Sequence, residues 1–167
     1  MLRTQGRELS GEANHPAPGS AGFVLCLSDA FGSIENMPVV RQKTDDEDMI
    51  WPPDGFTGEW IVEWPNGAVK FRSLYLGGKE EGDYRCFWSN GKPAQIGYSS
   101  GGECIGVWTD FLEDGSKSKE THFINNRTFK VLWFDADGSV TGTEFMIDHK
   151  KSTQEEFERF ANRAEQG

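Results

Sequence analysis

Three cysteines, three histidines and no apolar stretch of membrane-spanning length leave most specialised chemistry without raw material. Cys26, Cys86 and Cys104 form no CxxC pair and no Cys/His cluster, so neither a disulfide framework nor a zinc site is expected. The odd count points to a reducing compartment, with a single bridge between Cys86 and Cys104 as the alternative. The best apolar run, Phe23-Val24-Leu25-Cys26-Leu27, falls far short of the roughly 20 residues of a membrane helix. It follows a Gly/Pro/Ser-rich stretch containing Glu8 and Glu12, unlike a secretory leader, and Leu25 is too large for a lipoprotein processing site before Cys26. A cytoplasmic location without membrane insertion is expected. Basic regions are also missing: the net charge is −10, and residues 1–54, 55–151 and 152–167 are each net negative. Nucleic-acid binding therefore has no electrostatic footprint.

Catalytic signatures are equally scarce. No G-x-S-x-G, H-E-x-x-H, P-loop or dinucleotide fingerprint occurs. His122 and Glu120 share one face of a strand, but a pair without a nucleophile or an orienting group is not a site. A hidden hydrolase would need His122, Glu120 and Asp110 in one concave pocket. Asp135-Ala136-Asp137-Gly138 has calcium-loop character, yet the spacing puts Trp133 at the first ligand position, which cannot coordinate. Cys86 has Arg85 beside it, but on the opposite face, so no cation lowers its thiol pKa. The expectation is a protein with no enzymatic activity, no cofactor and no metal.

What the chain does have is 20 glycines among 12 phenylalanines, 6 tryptophans and 3 tyrosines. Residues 1–54 show no sustained periodicity and carry the acidic run Asp45-Asp46-Glu47-Asp48, so they are expected to be disordered or poorly structured. Met37 precedes Pro38 shortly before the periodic region, which makes residues 1–36 a candidate over-extension of the natural start; mass spectrometry of the natural N-terminus decides this.

From residue 55 a repeat of about 24 residues takes over. Gly58, Gly82 and Gly106 open three copies, and the turn glycines Gly67, Gly91, Gly115 and Gly138 follow the same spacing. Gly77-Gly78, Gly101-Gly102 and Asn125-Asn126 punctuate between them. Asn66-Gly67, Asn90-Gly91, Asp114-Gly115 and Asp137-Gly138 suit two-residue type I′ turns, in which Pro65 is an imperfection. Large residues recur before the turns, at Trp60, Tyr84, Trp108 and Val131 and at Trp64, Trp88, Leu112 and Asp135, and after them at Tyr75, Tyr98 and Phe123. Turns every 11 to 13 residues exclude helices. The pattern predicts an all-β domain over 55–151, an antiparallel meander of about eight strands twisted into a solenoid-like sheet. Residues 152–167 predict an amphipathic helix, with Ser152 and Glu155 as its capping box and Phe157, Phe160, Ala161 and Ala164 as its apolar stripe, packing on the final hairpin or the open edge.

Gly58-Glu59-Trp60 through Trp64-Pro65-Asn66-Gly67, Gly82-Asp83-Tyr84 through Trp88-Ser89-Asn90-Gly91, and Gly106-Val107-Trp108 through Asp114-Gly115 resemble the variant MORN repeat. Lys92 and Gly78-Lys79 match its lysine positions, and Val131 through Gly138 is a degenerate fourth copy. The resemblance covers roughly residues 55–147. It implies an all-β repeat sheet, no cofactor and a protein-binding role, since bacterial proteins of this kind include antitoxins of the YwqK type.

A one-layer sheet cannot cover both of its faces. Trp60, Trp64, Tyr84, Trp88 and Trp108 are therefore the candidate partner-binding strip, for another protein such as a toxin. The alternative is a carbohydrate or cell-wall ligand stacked on the same tryptophans.

Overall fold

The computed structural model describes residues 37–44 and 49–164. The chain divides after Asn36 into two units, and every described residue belongs to the second. Cys26, His15 and the acidic run at 45–48 lie outside the described residues.

Ten strands form one open sheet in chain order: β1 (Val39–Lys43), β2 (Gly58–Glu63), β3 (Val69–Leu76), β4 (Lys79–Phe87), β5 (Pro93–Ser100), β6 (Glu103–Phe111), β7 (Lys117–Asn125), β8 (Thr128–Phe134), β9 (Val140–Ile147) and β10 (Lys150–Ser152). The eight strands of the meander are β2–β9. The two additional ones lie where the sequence gives no alternation. Within the segment expected to be poorly structured, β1 pairs in parallel with β2; a parallel partner is reached by a long connection, so no tight turn announces it. β10 is three residues long and follows a turn at Asp148-His149, which takes positive φ without glycine.

The turn chemistry is exchanged relative to the expectation. At the Asn/Asp–Gly positions only the glycine has positive φ (Gly67, 85°). Gly67 N–H donates to Trp64 O at 2.8 Å, and Trp64 N–H donates to Ala68 O at 2.8 Å. The loop is therefore three residues long, with the glycine in the left-handed position, and Asn66 Oδ1 accepts from Ala68 N–H. Pro65 occupies the position where a fixed negative φ is favoured and no N–H is needed, so it is no imperfection. Gly91, Gly115 and Gly138 repeat these two main-chain bonds. Two-residue turns with positive φ at both positions are instead formed by Gly77-Gly78 and Gly101-Gly102, as by Asp148-His149.

Register slips recur with the repeat, between Val62 and Glu63, Cys86 and Phe87, Asp110 and Phe111, and Trp133 and Phe134. Each leaves one extra residue on the following strand: Lys70, Ala94, Ser118 and Thr141. Such bulges increase local twist. Copies are also joined across the glycine-rich edge. Gly78 N–H donates to Phe56 O and Gly102 N–H to Glu80 O, while Thr57 Oγ1 and the Glu81 carboxylate accept from Gly77 and Gly101 N–H.

One face carries an aromatic ladder. Ring centroids lie 5.2 Å apart for Phe71–Tyr84, 4.7 Å for Tyr84–Trp108, 6.3 Å for Trp108–Phe123 and 5.3 Å for Phe123–Phe129. The ladder skips β5, because Gly97 lies under the Trp108 indole and lets Tyr84 and Trp108 meet across it. Tyr98, expected in line with Tyr75 and Phe123, faces away; Ser99 holds that register. At the N-terminal end, Met49, Ile50 and Phe56 pack over a core of Trp60, Val62, Phe71 and Tyr75 on this face.

On the opposite face, at the other end, lies the helix α1 (Gln154–Ala164). Phe157 is buried with its ring 5.3 Å from Phe145. The helix thus packs on the β8–β9 hairpin. Its capping box is one residue later than the sequence suggested: Thr153 Oγ1 accepts from Glu156 N–H at 3.3 Å and Glu156 Oε2 accepts from Thr153 N–H at 3.0 Å. Ser152 pairs with Phe145 in β10 and so cannot also serve as the cap.

Two stability measurements check this architecture. A Cβ at Gly97 would overlap three ring atoms of Trp108, so Gly97→Ala should lower urea-unfolding stability by about 1–3 kcal/mol, the usual cost of overpacking. Thr153→Ala should cost about 1 kcal/mol by loss of the cap, with Ser152→Ala leaving the cap intact.

Candidate functional site

Of the five residues expected to meet a partner, two are turned fully inward. Trp60 and Trp108 are 5% and 7% exposed, and Trp64, Tyr84 and Trp88 are half-buried. Every one of these indoles donates to a main-chain carbonyl: Trp60 Nε1 to Ile50 O at 2.8 Å, Trp64 Nε1 to Phe87 O at 3.0 Å, Trp88 Nε1 to Phe111 O at 3.1 Å and Trp108 Nε1 to Tyr98 O at 3.0 Å. Burial pushes the Tyr84 hydroxyl pKa well above its ordinary value, with smaller contributions from Cys86 and Glu80. Trp60 and Trp108 are core, and Trp64 and Trp88 bind one copy to the next, with Trp88 also lining an open groove. A strip of rings on one strand face has the same alternation whether a partner or its own neighbours cover it, so periodicity did not separate the two.

The turn side chains complete the joins. Asn66 Nδ2 donates to Ser89 O and Asn90 Nδ2 to Glu113 O, both at 2.9 Å. The third copy has Leu112 for the tryptophan and Asp114 for the asparagine, and neither side chain has an N–H to give. Asp114 turns to its own loop, accepting from Ser116 Oγ and Ser116 N–H, and these bonds hold its carboxyl below the ordinary range. Leu112 is left 50% exposed.

Where the joins stop, a groove of about 410 Å3 opens, lined by Trp88, Ala94, Phe111, Leu112 and Trp133, with Gln95, Asp110, Ser118 and Lys119. Gln95, Asp110 and Lys119 lie on the ladder face by register. Gln95 Nε2 donates to Asp110 Oδ1 at 2.8 Å and Lys119 Nζ sits 2.9 Å from Asp110 Oδ2, so the charges at the groove are matched internally. Trp133 is 44% exposed at the groove.

On the opposite face, Ile105 and Val107 of β6 are also exposed, Ile105 across from Tyr98 and Val107 across from His122. Ile105, Val107 and Leu112 lie between the region packed by Met49, Ile50 and Phe56 and the hairpin packed by α1, and Trp133 lies on β8 of that hairpin, on the face away from the helix.

The titratable candidates do not gather. Glu120 accepts from Lys117 Nζ and contacts His122 Nε2 at 3.1 Å; the lysine bond is the main reason its carboxyl lies below the ordinary range. Asp110 projects from the other face, so the pocket a hydrolase reading required is not formed. Cys86 and Cys104 are free and half-buried, and burial raises both thiol pKa values, which disfavours thiolate chemistry. Asp135 and Asp137 accept N–H bonds within their own turn. Among the described residues no group of three acidic, histidine or cysteine side chains is placed to hold a metal, and no helix is long and apolar enough to cross a membrane.

No family model, no curated protein and no solved structure matches this chain.

The joining role of the indoles has its own check. Trp64→Phe and Trp88→Phe keep an aromatic ring but lose the donor. Each should lower unfolding free energy by about 0.5–1.5 kcal/mol, the ordinary net worth of one hydrogen bond.

Proposed function

We propose that this chain is a non-catalytic, protein-binding repeat protein of the variant MORN type. A partner protein docks on the middle of the sheet, where neither the N-terminal covering segment nor the helix reaches. One observation carries the reading: on the ladder face Leu112 and Trp133 are 50% and 44% exposed beside the open groove, and on the opposite face of β6 Ile105 and Val107 are 37% and 48% exposed. Large apolar groups left exposed beside a groove, as Leu112 and Trp133 are, are typical of interaction surfaces, whereas scattered single ones carry no such meaning.

The antitoxin-like role belongs to the same reading. A net charge of −10 suits a basic partner, and a toxin neutralised by steric cover needs no chemistry from its binder. The carbohydrate alternative keeps fewer stacking platforms, because Trp60 and Trp108 are buried while Trp64 and Trp88 are half-buried.

The test uses two double variants, Ile105→Asp/Val107→Asp and Leu112→Asp/Trp133→Ala. Substitutions at exposed positions usually change stability by no more than about 0.5 kcal/mol each, so both proteins should melt near the wild type. A partner captured by the wild-type chain should bind at least one of them more than tenfold more weakly, and co-expression of that partner with the wild-type chain should relieve any growth arrest it causes. A chain whose captured proteins bind both variants equally well would sink the proposal.

A further inference from the structure

The repeat supplies its own template for what fits the groove. At the first junction, the extra residue of the bulge is Lys70, nearly fully buried, with Nζ 4.4 Å from the centroid of the Trp64 ring. Twenty-four residues on, the tryptophan recurs as Trp88 but the bulge residue is Ala94. The third copy pairs Leu112 with Ser118, and the fourth pairs Asp135 with Thr141. Trp88 is thus the one tryptophan of the series whose bulge residue has no side chain long enough to cover it, and both residues line the open groove.

We infer that the groove receives a lysine side chain from the partner protein, seated against Trp88 as Lys70 is seated against Trp64. The inference rests on the protein-binding reading and names what the partner inserts. A lysine matches the site in two ways. Its alkyl stem finds Ala94, Leu112 and the Trp133 ring, and its ammonium finds the negative face of an indole. The surrounding charges permit this. Lys119 is already engaged by Asp110, and its Nζ lies 5.6 Å from the Trp133 ring rather than over Trp88. Lys92 Nζ is held by Asp114 O at 2.7 Å. Glu113 and Asp114 follow Leu112 in its turn, and the Asp114 carboxyl is held in its charged form by Ser116.

The experiment follows the Trp88 indole N–H by NMR in the full chain, assigned by its loss in Trp88→Phe, during titration with N-acetyl-lysine methylamide. A saturable shift is expected, absent with the norleucine counterpart, which has the stem without the charge. Ala94→Lys fills the groove from within and should abolish the shift; where that variant does not fold, Ala94→Met occupies the same space and should do the same. No saturable shift, an equal shift with norleucine, or a shift that survives the filled groove overturns the inference. Partner capture that still depends on the two double variants would then leave the protein-binding reading standing without a lysine anchor, whereas capture independent of both would remove that reading itself.

Discussion

A sheet one layer thick has no opposing layer to fix its strands, so its register depends on the hydrogen bonds that each copy sends to its neighbour. Here those bonds leave from both edges. At one edge the indoles of Trp64 and Trp88 and the amides of Asn66 and Asn90 reach carbonyls of the following copy. At the other, the second glycines of the two-residue turns reach back to Phe56 O and Glu80 O of the preceding one. Slipping any strand by one residue would break bonds at both edges at once and turn its side chains to the wrong face. Donors stand at the same places in the first two copies, and this constraint helps to make the 24-residue period visible in the sequence.

The same constraint explains which features were legible. Period, meander and terminal helix follow from punctuation and spacing, which the sequence displays directly. The turn geometries do not: Asn–Gly serves two-residue and three-residue loops alike, and only the donors around Trp64 and Ala68 separate them. β1 carries little signal, since four of its five residues are exposed and its pairing is parallel. The cap moved from Ser152 to Thr153 because a three-residue strand claims Ser152, and a strand that short leaves no alternation to read. Within the expected partner-binding strip, Trp60 and Trp108 are buried for a different reason. Composition shows that there are more rings than an ordinary one-layer sheet can hide, but not that the chain would lay one of them over Gly97 and aim four indole N–H groups at its own carbonyls.

The aromatic ladder works as a core without a second layer. Each ring covers its neighbours' edges, so Trp108 is 7% exposed although it stands on an open sheet. Small residues make this possible: Gly97 beneath Trp108, and Ser73 across from Trp60, leave room for a large ring on the adjacent strand. Bulk on one strand is matched by its absence on the next, as in any close-packed interior. Shielding of this kind needs rings in consecutive copies, and it weakens where the copies degenerate.

That degeneration links the fold to the proposed function. Replacement of tryptophan by Leu112 and of asparagine by Asp114 removes two donors from a position that two earlier copies satisfy. The loss would be only a defect if it fell at an end, where the covering segment or α1 could hide it. It falls instead in the middle of the sheet, beside a bulge whose residue has shrunk from Lys70 to Ala94. This gap has two tryptophans and a leucine around internally neutralised polar groups, a lining that suits the apolar stem and charged tip proposed for it.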